Sequence, residues 1–293
     1  MKSSDSVRLG GIILVLGLSL VLSACSAIKL GYNTLPELAY WWLDGYADFG
    51  DEQQPAVRAE LARLHGWHRR EELPRIAEVL ARMEQLALGE ITPQQACDVV
   101  ADAQLRLQSI VQAVSPALGT VAASLAPRQL RHMERKFRSS NDKFRSEMID
   151  VSPAQAQDKR FDQALERIEM VYGRLDEPQR AVLRQGVAAS AYDAQRILAD
   201  RQRRQLDLLE TLRRLHRAHL PSEQAREQLL AWVDRARQAP DPAYRAWQQG
   251  LVDEGCRMFA AVHASTTAQQ REQAVRRLRA YQRDLRDLSA QSR

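Results

Sequence analysis

The stretch Val57-Arg58-Ala59-Glu60-Leu61-Ala62-Arg63-Leu64-His65-Gly66-Trp67-His68 decides the fold class. Val57, Leu61, Leu64 and His68 fall at offsets 0, 4, 7 and 11, one face of a helix with about 3.6 residues per turn. The spacing resumes after Pro74 with Ile76, Leu80, Met83 and Leu86. It returns in Leu208, Leu212, Leu215 and His219, and again in Val275, Leu278, Tyr281, Leu285 and Leu288. No comparable run alternates with period two, and 13 Gly and 11 Pro in 293 residues are too few for the turns of an all-β chain. The expected fold is all-α, a multi-helix bundle with long helices.

The breaks between stripes share a chemistry. Ile91-Thr92-Pro93-Gln94-Gln95, Leu125-Ala126-Pro127-Arg128-Gln129, Val151-Ser152-Pro153-Ala154-Gln155 and Val114-Ser115-Pro116 look alike. In three of the four, Thr or Ser stands at a helix N-cap with Pro at the first helical position, where its missing N–H would be unpaired anyway. Together with Leu175-Asp176-Glu177-Pro178 and His219-Leu220-Pro221-Ser222, these breaks predict helices over 35–47, 52–88, 93–113, 116–125, 127–147, 158–173, 177–219, 222–238, 242–263 and 268–290. Pro74 is expected to kink or divide the second of these. Ser139–Arg160 is the expected joint between two halves, 51–150 and 151–293, of one helical domain.

The N-terminus sets the compartment. Lys2 and Arg8 open an uncharged stretch from Leu9 to Ala24, 16 residues long, against about 20 for a membrane-spanning helix. This is the pattern of a secretory signal peptide over residues 1–24. Its end, Leu22-Ser23-Ala24-Cys25, resembles the bacterial lipobox, in which the cysteine thiol is acylated before cleavage; the alternative is an ordinary signal peptide with a chance cysteine. By that resemblance the mature chain starts at Cys25, keeps 269 residues and is held in the membrane by several acyl chains. Residues 25–50 then form the anchor and an aromatic segment. Ser26 stands where an inner-membrane retention signal would most often place Asp, and by resemblance to enterobacterial sorting this implies the outer membrane, facing the periplasm. With Cys25 acylated, Cys97 and Cys256 remain as an even pair in an oxidising compartment, and a disulfide between them is expected. Two buried free thiols are the alternative.

The densest constellation follows the anchor. Tyr40 to Asp51 holds five aromatics and three acids (Asp44, Asp48, Asp51) in a chain that is 6% aromatic. The run His65-Gly66-Trp67-His68-Arg69-Arg70-Glu71-Glu72-Leu73-Pro74 comes next. Counting from Leu61 and Leu64, His68 and Glu71 fall on or beside the inward face, where burial is costly unless the groups are paired. One expectation is a structural network in which His68 or Arg69 hydrogen-bonds Asp44 or Asp48. A second is a ligand cleft lined by Trp41, Trp42, Trp67 and Arg70, beside the polar groups Asp44, Asp48, His68, Arg69, Glu71 and Glu72. A third, a metal site from His65, His68 and Glu72, lacks the His-Glu-x-x-His spacing of a zinc helix.

The runs Tyr40-Trp41-Trp42-Leu43-Asp44-Gly45-Tyr46 and His68-Arg69-Arg70-Glu71-Glu72-Leu73-Pro74, the basic run from Phe137 to Phe144 and the Leu-x-Pro-x-Gln helix starts resemble proteobacterial lipoproteins that carry a domain of unknown function. The resemblance covers most of the mature chain. It implies a helical periplasmic lipoprotein and brings no activity, so no catalytic residue is carried over.

Formal net charge is +5, and the basic residues are nearly all Arg. Arg196 to Arg217 and Arg271 to Arg286 are interleaved with acids such as Asp200, Asp207 and Asp284, the pattern of solvated helix faces. Contact with anionic lipid phosphates stays open; nucleic acid is excluded by the compartment. No Gly-x-Ser-x-Gly, phosphate loop or Cys-x-x-Cys occurs, and no cofactor is implied. The expected role is a non-catalytic periplasmic interaction, scaffold or chaperone-like protein of the cell envelope. The alternative is a small-ligand receptor or hydrolase-type enzyme with its site between Trp41–Asp48 and His65–Glu72.

Overall fold

The computed structural model describes residues 28–291; the expected signal peptide and Cys25 lie outside them. A short helical stretch over 28–33 leads into eleven α-helices: α1 (Leu35–Ala47), α2 (Gln54–Trp67), α3 (Leu73–Leu86), α4 (Pro93–Ala123), α5 (Pro127–Met148), α6 (Pro153–Tyr172), α7 (Glu177–Ala189), α8 (Ala194–Ala218), α9 (Ser222–Arg237), α10 (Pro242–Ser265) and α11 (Ala268–Ala290). No strand occurs among the described residues, so the fold is all-α. No single described helix is long and apolar enough to cross a membrane.

Pro74 does not divide its helix. A π-helical turn over His68–Glu72 joins α2 to α3, with the N–H of Leu73 donating to the carbonyl of His68. Proline lacks an N–H and clashes with the carbonyl four residues before it, and a wider turn upstream relieves both problems. The break expected at Val114-Ser115-Pro116 is also absent, since α4 runs through Pro116. Ser115, Ala117, Gly119 and Ala122 around it are buried. At Gly119 α9 comes so close that an added Cβ would lie 2.0 Å from the carbonyl oxygen of Ser222. Packing against α9 thus holds the helix across the proline. Conversely, the helix expected over 177–219 is split at residues 190–193, with no Pro or Gly there. Glu254 of α10 accepts bonds from Ser190 Oγ (2.8 Å) and the N–H of Ala191 (3.1 Å), while Asp193 caps α8. A carboxylate from 60-odd residues away makes that break, out of reach of any local pattern.

Helix α4, about 47 Å long at 1.5 Å per residue, runs past two cores. The first gathers Tyr40, Phe49, Val57, Leu130, Leu209 and Leu212 from α1, α2, α5 and α8 and the loops between them. The second joins two adjoining clusters through Ile168 and gathers Ala87, Phe161, Tyr172, Leu183, Val262 and Leu278 from the end of α3 and from α6, α7, α10 and α11, with Leu80 and Met83 of α3 packed against it. Each core draws on both sides of residue 150. The arginine-rich runs contribute to cohesion as well as to solvation. Arg213 pairs with Glu134 at 2.7 Å, Arg235 with Asp207 at 2.8 Å, and Arg279 with Glu84 at 2.6 Å, each joining two helices.

Helix starts leave N–H groups without intrahelical partners. Thr92, Ser152, Asp176 and Thr267 cap α4, α6, α7 and α11, and the glutamines Gln95, Gln155, Gln179 and Gln270 bond back to the capping residues' N–H. Gln53 and Gln129 do the second half of this at Gly50 and Ala126 (2.9 and 2.8 Å). Four of these glutamines then join in pairs. Gln129 Nε2 donates to Gln53 Oε1 at 2.8 Å and to the carbonyls of Ala47 and Asp48 at 3.0 and 2.9 Å. In the second core Gln179 and Gln270 exchange amide bonds of 2.7 and 2.9 Å, and reach the carbonyls of Ser265 and Arg174. Each core therefore has one glutamine clasp that ties two helix starts together. Replacing a clasp amide by an apolar group leaves several buried partners unpaired, at about 1–3 kcal/mol per group. Gln129→Leu and Gln179→Leu should each cost at least about 2 kcal/mol in urea unfolding, whereas Gln155→Leu, at an exposed cap, should cost less than about 1 kcal/mol. Equal costs at all three positions would remove the special role of the clasps.

Cys97 of α4 and Cys256 of α10 are bonded, with Cα atoms 5.4 Å apart across a sequence separation of 159. The bridge ties α4 to the second core. In the chain-entropy model a loop of this length stabilises by about 5 kcal/mol. Reduction, or Cys97→Ser with Cys256→Ser, should lower the urea midpoint markedly, and the oxidised chain should be two hydrogens lighter by mass; a midpoint indifferent to reductant would contradict it.

Candidate functional site

Beside the disulfide the second core is hollow. Helices α3, α4, α6, α7, α10 and α11 surround a half-enclosed cavity of about 540 Å³, within the roughly 300–1,000 Å³ of small-molecule sites. Its wall is almost wholly apolar, and Met83, Val99, Ile168, Leu251, Phe259 and Leu278 supply its bulk. The space exists because Ala87, Ala96, Ala164, Gly255 and Ala274 stand where larger side chains would fill it. Val100 and Arg167 are the exposed members of the wall and mark its rim. Arg167 forms no ion pair among the described residues.

Besides Arg167 and Gln95, whose amide oxygen accepts from the Thr92 N–H, a buried polar pair lies in and behind the wall. The hydroxyl of Tyr172 donates to His263 Nδ1 at 2.8 Å, and His263 Nε2 donates to the carbonyl of Gly89 at 2.8 Å. Both residues are buried. Burial holds the His263 imidazole below its ordinary value near 6.5, against the pull of the Gly89 carbonyl and with help from the Arg271 charge. Burial pushes the Tyr172 hydroxyl up to about 12. Both imidazole nitrogens are engaged inside the fold, Nδ1 by the Tyr172 hydroxyl and Nε2 by the Gly89 carbonyl. The pair is structural, fastening the loop after α3 to α10.

The residues singled out in the sequence lie elsewhere. Tyr32, just before α1, is hydrogen-bonded through its hydroxyl to His68 Nδ1 at 2.9 Å, and its carbonyl accepts from His65 Nε2 at 3.0 Å. Arg69 bonds Asn33 Oδ1 and lies 5.4 Å from the Tyr32 ring centroid. The N-terminal segment thus docks onto the π turn, but through Tyr32 and Asn33 rather than through the expected Asp44 and Asp48. Asp44 instead accepts from the N–H of Phe49 at 2.8 Å, because it stands one turn before the end of α1: its carbonyl takes the first N–H beyond the helix, that of Asp48, and its side chain the second. Asp48, in the left-handed region at φ 51°, ends that helix and is exposed. Glu71, expected inward, is exposed like Arg70, while Glu72 is fully buried and paired with Arg75 at 2.9 Å and Arg106 at 3.6 Å. The extra residue in the π turn advances the helix phase by one position, so Glu72 takes the place an unbroken α-helix would give Glu71.

His65, His68 and Glu72 do not converge. Among the described residues no group of three His, Cys, Asp or Glu side chains is placed to hold a metal ion. Trp41 and Trp42 are 60% and 64% exposed, so neither lines a cleft with Trp67 and Arg70. The cavity itself escaped the sequence reading. Met83, Leu86 and Leu278 stood out there only as members of apolar stripes, and the one signal of a void is the placement of small residues on core-facing positions.

The model of a family of unknown function, DUF6279, matches residues 45–245. The chain belongs to that family. The matched region opens at Gly45 inside α1 and closes at Arg245 inside α10, so it holds the π turn, the whole of α4 and the first core's clasp. No curated protein and no solved structure matches this DUF6279 chain.

Acid should destabilise the DUF6279 fold before its carboxylates titrate. Burial lowers His65 and His68 as it does His263. Below pH about 6.5 the unfolded chain therefore binds protons that the folded chain refuses, and stability falls with pH. Thermal unfolding at pH 7.5 and 5.5 should give a lower midpoint at the acid value; a flat or inverted profile would mean that these imidazoles are not held neutral.

Proposed function

We propose that this DUF6279 protein is a non-catalytic lipoprotein of the outer membrane, facing the periplasm, whose helical body shelters the apolar chain of an amphiphile in the cavity beside the Cys97–Cys256 bond. The observation that carries the reading is the cavity itself, about 540 Å³ of space walled by aliphatic and aromatic side chains. Apolar surface of this kind gains free energy by receiving hydrocarbon, about 0.8 kcal/mol for each methylene buried. Arg167 at the rim is a cation able to meet a carboxylate or phosphate head. The engaged Tyr172–His263 pair gives no support to hydrolysis. The membrane attachment rests on the resemblance of Leu22-Ser23-Ala24-Cys25 to a lipobox, and the periplasmic setting accords with a disulfide in the body.

Fluorescently labelled palmitate should bind with one-site saturation, and unlabelled fatty acids should displace it. Each added methylene should tighten displacement by about four-fold until the cavity is full. Ala164→Trp and Val99→Trp should abolish binding while circular dichroism shows an intact helical fold. Arg167→Gln should weaken palmitate but leave the corresponding long-chain alcohol unaffected. Absence of saturable binding, or binding untouched by both tryptophan variants, would overturn the proposal.

A further inference from the structure

Helix α1 is apolar on two opposite faces, and the fold uses only one of them. At about 100° per residue, Tyr40, Leu43 and Ala47 share a face that packs into the first core. On the opposite face lie Leu35, Leu38, Trp41 and Trp42, spaced by Thr34 and Gly45, with no charged residue among them. These four are 46–64% exposed, and Leu30, just upstream, is 68% exposed. At Gly45 an added Cβ would meet nothing within 4 Å, so the middle of this face is open. The charges of α1 keep to its flanks, where Glu37 pairs with Arg58 and Asp44 caps the helix end. A surface helix normally turns its polar side to water, and a contiguous apolar patch of this kind marks a contact surface.

We propose that the Leu35–Trp42 face of α1, together with Leu30 just upstream, seats the protein on a lipid bilayer, with Trp41 and Trp42 at the level of the headgroups. The chemistry selects lipid. Tryptophan pairs a broad apolar ring with one N–H donor and favours the membrane–water interface, and the leucines beside it suit the acyl boundary. The position in the chain selects the same partner. Cys25 stands five residues before Leu30, at most about 18 Å of extended chain, so an acyl anchor there would hold this face against the bilayer. The anchor belongs to the reading proposed above, whereas the face is a property of α1 alone. Docking through α1 also fixes an orientation: the first core lies directly above the membrane, because α1 is itself part of that core. A lipid anchor alone would leave the body free to swing.

The test uses the full chain in vesicles of phosphatidylethanolamine and phosphatidylglycerol with brominated acyl chains, which quench tryptophan at the bilayer. The wild type should lose most of its exposed-tryptophan emission there, with a blue shift in unbrominated vesicles. Trp67, Trp232 and Trp247 supply an unquenched remainder. In Trp41→Phe/Trp42→Phe, which keeps the face apolar and the fold intact, the quenched component should vanish. Unquenched emission from a vesicle-bound wild type, or quenching that survives the double substitution, would overturn the proposal. So would dimers on sedimentation with Trp41 and Trp42 shielded from quencher, which would assign the face to a second copy. The mass of the N-terminal peptide reports separately on acylation of Cys25. Acylation without quenching defeats the face and leaves the anchor, and quenching without acylation defeats the anchor and leaves the face.

Discussion

Helix starts that meet inside a protein must find acceptors for their free N–H groups, and here a glutamine pair solves this beside each core. One side-chain oxygen closes the helix start on which it stands, and the amide nitrogen reaches across to the neighbouring start and to stranded carbonyls. Gln53–Gln129 thereby brings the end of α1, the start of α2 and the α4–α5 turn to one point. Gln179–Gln270 does the same for the α6–α7 and α10–α11 connections. The apolar clusters fill in around these fixed points, and α4, pinned to α10 by Cys97–Cys256, sets the distance between them. Apolar burial supplies most of the driving force, but the register of the helices follows from the clasps, because a one-residue slip would leave several buried polar groups without partners.

Much of the fold was legible in one dimension because helix periodicity and cap chemistry are local. Thr92-Pro93 and Ser152-Pro153 do start helices, as their side chains dictate. The errors arise where a distant group overrules the local signal. Pro116 reads as a terminator, yet the backbone of α9 against Gly119 holds the helix through it. Residues 190–193 read as continuous helix, yet Glu254 opens them. Pro74 sat between the two outcomes, and the π turn before it was invisible because a wider turn leaves no residue signature.

The site was read less well, for a different reason. Sequence marks chemistry-bearing residues, and those concentrate in the aromatic, acidic and histidine-rich runs near the N-terminus. Those runs do meet, through Tyr32 on His68 and Arg69 on Asn33, but as a dock for the N-terminal segment. A cavity is defined by what is missing, and the alanines and glycine that make this one carry no functional signature. The outer face of α1 is ambiguous in sequence for the same reason: Trp41 and Trp42 have the chemistry of a cleft wall, and only their exposure puts them on the surface.

The span of sequence likeness and the unit that folds are different lengths of chain. Residues 45–245 contain Cys97 but not Cys256, and Gln179 but not Gln270. An excised segment with those borders would begin partway along α1 and stop just inside α10. It would keep the clasp of one core intact and carry half of the clasp and half of the crosslink of the other, with the floor of the cavity gone. Helices α10 and α11 are therefore not an appendage to the family region but its second wall, and any relative that keeps Gln179 and Cys97 has a physical reason to keep the chain beyond.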